Sequence, residues 1–254
     1  MNHIPPFRRQ RAYLSQFSTA QLHLKNPWIP AFFSFSYPGF GHILKHRYIS
    51  GYILILWETF INDRAKVNLG ILYTLLGEFE KAKDILDQRW LILYLAIYMF
   101  GIWDSYRTTV DINKQYILAD REDAQVINMK IGSWDINYLD KRKPINALIW
   151  SALFPGLGHL YLHHVITGFF IFIYAVSICY LGHIPEAIHA SMTGDFVQAK
   201  KVLNMQWTLY FPSIYFFIIY DSYVSTIEHN KLFEKEMSKF LREKYQSKHF
   251  LYPL

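Results

Sequence analysis

The chain has 254 residues, of which 52% are hydrophobic, 18% aromatic and 18% charged, with a formal net charge of +6. Soluble domains carry about 25% charged residues, so the composition excludes a disordered chain. Ten prolines and twelve glycines without a fixed period exclude a collagen-like or low-complexity chain. The single cysteine, Cys179, excludes an intrachain disulfide framework and a cysteine-based zinc site. A mean hydropathy of +0.06 averages very apolar with very polar segments, which favours a multi-pass membrane protein.

The N-terminal residues 1–26 carry four Arg or Lys residues and no apolar core. They are therefore predicted to be a basic, solvated tail rather than a cleaved signal peptide. The alternative is a nucleic-acid-binding arm. It is less favoured, because basic residues beside an apolar segment follow the positive-inside rule of membrane proteins.

Six apolar runs without Lys or Arg follow this tail. They cover residues 28–44, 48–61, 90–103, 145–162, 165–181 and 207–220. A spanning helix needs about 20 apolar residues, so several runs are short enough to be re-entrant or interfacial instead. Trp residues at or near the ends of these runs favour a lipid interface. The sequence leaves open four or six crossings, and a soluble helical bundle is the alternative fold.

An internal repeat with a constant offset of 117 residues relates the two halves of the chain without a gap. The offset superposes Trp, Gly, Pro and His positions, which chance does not explain. The repeat divides the chain into a tail (1–26), a first membrane repeat (27–114), a polar connector (115–143), a second membrane repeat (144–231) and a basic C-terminal tail (232–254). The predicted fold is an all-α polytopic membrane protein of two tandem repeats.

Each repeat is predicted to contain three apolar segments and one amphipathic helix. In the first repeat the amphipathic stripe includes Leu72, Leu76, Phe79 and Ala82 at helical spacing. Such a helix lies on a membrane surface or packs against its own protein.

The distribution of Lys and Arg predicts the orientation. The N-terminal tail holds four, the region 107–143 holds seven and the region 231–254 holds six. If all three regions are cytoplasmic, each repeat crosses the membrane an even number of times and the repeats are parallel. An inverted repeat of the kind found in transporters is the less favoured alternative.

The strongest local signal is a Pro-Gly motif that recurs in both repeats. It comprises Pro38, Gly39, Gly41 and His42 in the first repeat and Pro155, Gly156, Gly158 and His159 in the second. Proline removes a helix donor and glycine loosens the backbone, so a helix break is expected at both motifs. Either this run or the short third run would then stay in the membrane without spanning it.

A P-G-x-G-H stretch followed by a glycine that opens another apolar helix resembles small bacterial multi-pass membrane proteins with TM2-like hairpins. With the later Trp and Asp-Ser-Tyr elements, the resemblance covers most of both repeats. It implies a membrane location and a non-enzymatic role, and it carries over no catalytic residues.

The two motif histidines, His42 and His159, are candidate haem or metal ligands, since the duplication supplies a symmetric pair. The alternative, which is favoured, is that each histidine bonds a backbone carbonyl freed by the helix break. The sequence does not settle whether a metal binds, and no cofactor is predicted.

Three carboxylates are candidate intramembrane polar sites. Glu58 lies inside the second apolar run, where an ionisable group is costly, with Asn62 or Asn68 as neighbours on later turns. Asp104 and Asp221 close the third run of each repeat. They are expected to pair with basic residues of the connector or tail, or else to line a polar cavity.

No sequence motif of a known enzyme class occurs. The predicted function is therefore a non-catalytic interaction, assembly or regulatory component of a bacterial cytoplasmic membrane. The first alternative is a small-solute or ion transporter, and the second is a haem- or metal-binding membrane protein. The expected partners are the lipid bilayer and either another membrane protein or a second copy, with no nucleic acid.

Overall fold

The computed structural model describes residues 9–246, and it is 71% helical. A mostly helical fold agrees with the sequence prediction, although two short antiparallel hairpins are added to it. The first half contains β1 (Ala12–Leu14), β2 (Thr19–Gln21), α1 (Trp28–Ser36), α2 (Phe40–Ile43), α3 (Tyr48–Ala65), α4 (Val67–Leu75), α5 (Phe79–Ile85) and α6 (Gln88–Glu122).

The second half presents the same order of elements. It contains β3 (Met129–Ile131), β4 (Ile136–Tyr138), α7 (Pro144–Leu153), α8 (Leu157–Tyr161), α9 (Val165–Leu181), α10 (Ile184–Met192), α11 (Phe196–Val202), α12 (Met205–Thr208) and α13 (Tyr210–Lys244). Each element begins 117 residues after its counterpart, except α7, which begins one residue earlier. The counterpart of α6 is broken at Leu209 into α12 and α13.

The regular spacing extends beyond the predicted repeats into the predicted tails and connector. The β1–β2 hairpin lies in the predicted N-terminal tail, β3–β4 lies in the predicted connector, and α6 and α13 continue past residues 114 and 231. Ala12 and Leu14 are buried with Val126 and Leu232 in a small separate core, which explains why the tail folds. Residues 1–8 and 247–254 of the predicted tails lie outside the described residues.

Helix boundaries have the same local causes in both halves. The Asp87 carboxylate accepts from two backbone N–H groups at the start of α6, and the Asn204 amide oxygen accepts from one at the start of α12. His46 and His163 precede α3 and α9 with left-handed backbones, at φ +58° and +60°. Asp87 and Asn204 are 117 residues apart, as are His46 and His163. Equivalent local sequences therefore form the same helix starts and turns in both halves.

Helices α1 and α2 form a hairpin whose two ends lie at the same level of α6. The Trp28 ring packs against Tyr106, with 5.0 Å between ring centroids, and the Tyr98 hydroxyl donates to the Phe35 carbonyl. Helix α1 therefore descends two turns along α6.

After α1 the chain turns back along α6. His42 of α2 and Arg47 after it both bond Asp104, each at 2.9 Å. The hairpin therefore enters and returns at one end of α6.

The tip of each hairpin depends on a glycine that no other residue replaces easily. Gly39 has φ +105° and Gly156 has φ +98°. A Cβ atom at either position would lie 2.5 Å from a backbone oxygen, that of Gly51 in the first half and of Gly168 in the second. The helix break at Pro38 is thus locked by close backbone packing against the start of α3.

Helices α3 and α9 run side by side in the same direction. The Tyr52 hydroxyl bonds Thr167 at 2.7 Å. About two helical turns further along both helices, Thr59 bonds Tyr174 at 2.8 Å. Contact positions rise together along both helices, as parallel helices require. Ion pairs between the polar ends of α6 and α13, including Lys239 with Asp123 at 2.8 Å, have the same sense. The two halves are therefore parallel rather than inverted.

The main core lies between the halves and is built around the apolar part of α13. It comprises Phe33, Tyr37, Phe40, Ile43, Leu44 and Ile55 from the first half and Ile171, Tyr174, Ile178, Tyr210, Ile214, Phe217 and Ile218 from the second. The Phe40 and Phe217 rings stack with centroids 4.1 Å apart. The corresponding apolar part of α6 lies at the periphery, with Ile92, Met99 and Trp103 more than half exposed.

Within residues 9–246, no single helix combines the length and hydropathy that a membrane crossing needs. Three pairs of neighbouring helices meet both requirements when the two helices are taken together, and each pair is bent at the break between its helices. They are α5–α6 at 91°, α9–α10 at 63° and α11 with the α12–α13 segment at 85°.

Candidate functional site

The motif histidine of the first half bonds the carboxylate that ends the third apolar run. His42 Nε2 lies 2.9 Å from Asp104 Oδ2. Arg47 donates to the same oxygen at 2.9 Å, and Arg107 donates to Asp104 Oδ1 at 3.0 Å. His42 is 1% exposed and Asp104 is 5% exposed. This buried carboxylate therefore joins α2, the turn before α3 and α6, while the two arginine side chains that pair with it reach the surface.

Two serines complete this first cluster. Ser34 of α1 and Ser105 of α6 share a hydrogen bond at 2.6 Å, and the Lys45 ammonium donates to the Ser105 carbonyl at 2.9 Å. His42 Nδ1 lies 3.3 Å from the Ser105 hydroxyl. The order Ser–His–Asp resembles a hydrolytic triad, but the Ser105 side chain is fully buried inside the contact between α1 and α6. Its hydroxyl joins these two helices.

The second half repeats the central bonds of the cluster. His159 Nε2 lies 2.8 Å from Asp221 Oδ2, and Ser151 donates to Ser222 at 2.9 Å. The His–Asp spacing is 62 residues in both halves. In place of arginines, Ser225 donates to Asp221 Oδ1 at 3.2 Å. The His–Asp bond is thus common to both halves, whereas its surroundings are not.

The cations of the first cluster have no counterparts in the second. Lys45, Arg47 and Arg107 correspond to Leu162, His164 and Val224. In the first half the carboxylate therefore faces an excess of positive charge. In the second half the Nδ1 atom of His159 is buried without a hydrogen-bond partner.

The sequence analysis treated the histidines and the aspartates as separate candidates. The favoured interpretation of the histidines, a bond to a freed backbone carbonyl, differs from the carboxylate bonds that the structure contains. Asp104 pairs with Arg107, which lies three residues further along α6, and Asp221 pairs with His159. The equal His–Asp spacing in both repeats is the sequence signal that could have joined them.

The remaining motif glycines allow α2 to approach α1. A Cβ atom on Gly41 would lie 2.0 Å from the Pro30 carbonyl oxygen, and one on Gly158 would lie 2.0 Å from the Ser151 hydroxyl. Contacts this short exclude any side chain. Pro38 and Pro155 each begin the turn that precedes these glycines. The motif therefore positions the histidine against the aspartate.

Glu58 belongs to a second buried network, made of amides. Asn62 donates to Glu58 Oε1 and to the Asn68 side-chain oxygen, both at 3.1 Å. The Gln206 amide donates to the Asn62 side-chain oxygen at 2.9 Å, and Asn68 donates to the Gln206 carbonyl at 2.8 Å. The sequence analysis anticipated Asn62 and Asn68 as neighbours but not Gln206, which comes from the other half of the chain.

This amide network occurs once in the described residues, because its members are not repeated. Glu58, Asn62, Asn68 and Gln206 correspond to Ala175, Cys179, Pro185 and Arg89. The network connects the corner between α3 and α4 to α12, and so it joins the two halves at the end of the molecule opposite the His–Asp clusters.

A hydroxyl cluster that the sequence analysis missed also joins the halves. The Tyr37 hydroxyl lies 2.7 Å from Thr59 and 2.6 Å from the Tyr174 hydroxyl. The counterparts of Tyr37 and Tyr174 are Phe154 and Trp57, so the repeat offers no signal for this contact.

The polar ends of α6 and α13 carry most of the long-range ion pairs. Arg11 bonds Glu236 at 2.7 Å with both side chains buried, and Lys235 bonds Asp120 at the surface. The hydrogen bond from Lys235 holds the pKa of Asp120 below its usual value. Burial lowers the pKa of His229, and nearby Arg142 lowers it further.

Each half also contains an asparagine side chain that bonds both backbone groups of one residue before the first helix of that half. The Asn113 side chain bonds both the N–H and the carbonyl of Lys25, at 3.0 and 2.8 Å. Asn230 bonds the same two groups of Arg142, at 2.8 and 2.7 Å. These bonds fix the chain just before α1 and α7.

Among residues 9–246, no three His, Cys, Asp or Glu side chains form a group that could hold a metal ion. His42 and His159 each contact the aspartate of their own half. A cavity of about 780 Å³ lies between α10–α11 and α12–α13, and its lining is almost wholly apolar. None of the residues that line it belongs to the His–Asp clusters or to the Glu58 network.

The chain matches no protein-family model, and comparisons with curated proteins and with solved structures find no match.

Proposed function

We propose that this chain is an integral protein of a bacterial cytoplasmic membrane, built by tandem duplication, that acts non-catalytically as an interaction, assembly or regulatory component. Four crossings are made by α3, the apolar part of α6, α9 and the apolar part of α13. The α1–α2 and α7–α8 hairpins are re-entrant from one side. The α4–α5 and α10–α11 pairs lie at the opposite interface.

The observation that carries the membrane proposal is that the apolar segments expose apolar side chains on the outer surface of the molecule. Their outer faces expose large apolar side chains, including Trp28, Phe35, Ile49, Ile53, Ile92, Leu95, Met99, Trp103, Ile145, Ile149, Ile166 and Ile173. Ile49 is 77% exposed and Ile92 is 71% exposed. Soluble monomers rarely expose contiguous apolar patches beyond a few hundred Å², whereas lipid removes the cost.

The interior beside these faces is polar and hydrogen-bonded. Ser34, His42, Asp104 and Ser105 are all at most 5% exposed. Polar groups at membrane depth are stable only where protein partners satisfy them. The His–Asp bonds satisfy the buried histidine side chains of the two hairpins, which supports a structural role for the repeated motif.

The central helices α3 and α9 are shorter than the hydrocarbon core, so the proposed crossings require the bilayer or an adjoining helix to adapt. Helix α9 has 17 residues and α3 has 18, which at 1.5 Å per residue gives about 26 Å. The hydrocarbon core of a bilayer is about 30 Å thick. A modest local thinning or the adjoining bent segment would make up the difference.

The basic regions support a cytoplasmic location for the tails and connector. Both α6 and α13 leave their apolar parts in the same direction and end in ion-paired polar extensions, such as that between Asp123 and Lys239. Positive residues follow the cytoplasmic ends of membrane helices. The net charge is therefore explained by orientation rather than by binding to nucleic acid.

The test is resistance to extraction. Membranes that contain the chain would be washed with alkaline carbonate and then with urea, which release peripheral proteins. The proposal expects the chain to remain in the pellet until detergent is added. Release by carbonate would contradict it.

Transport is the second candidate, and the buried Glu58 network favours it. An ionisable group among amides at membrane depth is a recognised feature of ion and proton pathways. Proteoliposomes that contain the purified chain would then show a solute or proton flux, which Glu58→Gln would impair and Glu80→Gln, an exposed control, would not. Absence of flux in both the parent and the variants would leave the non-catalytic role as the better account.

A further inference from the structure

The contact between the two halves is one-sided, and the faces that would repeat it are uncovered. In the chain, the apolar part of α13 packs against the α1–α2 hairpin of the first half. Phe33 contacts Phe217 and Tyr220 with ring centroids 5.4 and 4.8 Å apart. Phe32 contacts Phe216 at 6.2 Å. This aromatic contact is the centre of the interface between the halves.

An offset of 117 residues locates the equivalents of both faces. Phe216, Phe217 and Tyr220 of α13 correspond to Met99, Phe100 and Trp103 of α6. Phe32, Phe33 and Phe40 of the first hairpin correspond to Ile149, Trp150 and Leu157 of the second. Each replacement is again a large apolar side chain, so the chemical character of both faces is kept.

These equivalent faces do not meet within the chain. A two-fold relation between the halves would bury Met99 against Ile149 and Phe100 against Trp150. Instead Phe100 is 53% exposed, whereas its equivalent Phe217 is fully buried. Trp150 is 46% exposed, whereas its equivalent Phe33 is 2% exposed. The relation between the halves is therefore heterologous, because the hairpin face of the first half packs against the α13 face of the second. The α6 face of the first half and the hairpin face of the second half are left unused.

We propose that a second copy of this chain occupies these faces, with Met99, Phe100 and Trp103 of one copy against Ile149, Trp150 and Leu157 of the next. The contact between copies repeats the contact between halves. A heterologous interface of this kind closes into a ring or continues as an open array, according to its rotation. This inference rests on the proposed membrane function, because the same lipid-facing surface carries both.

The choice of a second copy over lipid alone follows from complementarity. Lipid requires only that a face be apolar, and it does not favour one aromatic arrangement over another. All six positions of the two unused faces keep a large apolar side chain, and three of them, Phe100, Trp103 and Trp150, keep an aromatic ring. Packing between membrane helices depends on such van der Waals fit rather than on hydrophobic burial.

The test is thiol–thiol cross-linking with a membrane-permeant bis-maleimide between differently tagged chains in native membranes, in a Cys179→Ser background. One chain carries Met99→Cys and the other carries Ile149→Cys, both at exposed positions. The matched control is a single chain with Phe32→Cys and Phe216→Cys, the equivalent positions within the chain, which are also exposed. The control is expected to form an internal link and shows that the cross-linker reaches this depth.

The inference expects a dimer-sized product from the mixed chains and none from either single-cysteine chain alone. Trp103→Ala is expected to reduce the yield at least several-fold. A Met99-to-Met99 product would overturn the head-to-tail arrangement, and absence of any product while the control links would overturn the second copy as occupant. Carbonate release of the chain would contradict the proposed membrane function, whereas retention without the mixed product contradicts this inference alone.

Discussion

The two His–Asp clusters share a bond but differ in charge. His42 with Asp104 and His159 with Asp221 have Nε2–Oδ2 distances of 2.9 and 2.8 Å, yet only the first cluster contains Lys45 and two arginines. The comparison shows which part the fold requires. The His–Asp bond anchors the hairpin in both halves, whereas the cations belong to the first half alone. The proposed membrane location would place these cations near anionic headgroups.

The largest expected effect concerns the hairpin tips, where the halves are most alike. Gly39→Ala introduces a Cβ atom at φ +105° and 2.5 Å from the Gly51 carbonyl oxygen. Backbone strain and overpacking each cost on the order of 1–3 kcal/mol. Gly39→Ala and Gly156→Ala are each expected to lower the thermal unfolding midpoint in detergent, and by similar amounts.

Two further glycines are the controls for this prediction. Gly77→Ala has a positive φ but open space, so only strain applies, and Gly101→Ala meets Pro38 at an ordinary 3.6 Å. The latter is expected to be neutral or slightly stabilising. If Gly39→Ala and Gly156→Ala differed strongly, the equivalence of the two hairpins would be wrong.

The second effect separates the two clusters. Asp104→Asn removes the carboxylate that bonds Arg47 and Arg107. The buried Lys45, with 6% exposure, also loses its nearby anion, so the cost is expected to exceed that of one buried hydrogen bond, about 1–3 kcal/mol. Asp221→Asn removes a bond to one histidine and is expected to cost about 1–3 kcal/mol. Unfolding midpoints of both variants measure the difference.

A double substitution sharpens this comparison. Lys45→Leu introduces the residue that the second half has at Leu162. If the charge difference is the cause, Lys45→Leu with Asp104→Asn recovers part of the loss caused by Asp104→Asn alone. Equal losses for the two asparagine variants would contradict the electrostatic explanation.

A smaller effect is expected from His229, whose counterpart in the first half is Ile112. Burial lowers the pKa of His229, while an unfolded histidine titrates at about 6.5. Below that pH the unfolded chain gains a proton that the folded chain does not, so stability falls as the pH falls. His229→Ile is expected to weaken this dependence between pH 7.5 and 5.5. An unchanged pH profile would remove His229 as a contributor.

The smallest effect is expected at the surface. Lys235 and Asp120 are 44% and 40% exposed, and exposed ion pairs contribute about 0–1 kcal/mol. Lys235→Ala is expected to lower the unfolding midpoint slightly in low salt and not at all in high salt, because salt screens the pair. A large loss independent of salt would show a role beyond charge.

The sequence predicted the fold where periodicity and local breaks decide it. The apolar runs and the break at Pro38 follow from single-residue preferences, and the constant offset follows from comparing the two halves of the sequence. The mostly helical content agrees with the prediction. Folding of the predicted tail and connector was missed, because three-residue strands such as Ala12–Leu14 carry no periodic signal.

The site was only partly predictable for a similar reason. His42 and Asp104 were both selected, but their bond depends on how α2 packs on α6, 62 residues away. Gln206 and Tyr174 meet their partners across the interface between halves. That interface is heterologous, so repetition in the sequence does not report which face of each half is used.

The most direct test of the account is membrane topology, because four crossings with parallel halves determine everything else. Single cysteines in a Cys179→Ser background would be placed at Asn128 and Ser238 on one side and at Glu80 and Val197 on the other. An impermeant thiol reagent would be applied to intact cells and to inside-out vesicles. The account predicts that Asn128 and Ser238 are labelled only in inside-out vesicles and that Glu80 and Val197 are labelled in intact cells. Labelling of Asn128 and Ser238 from opposite sides would contradict it.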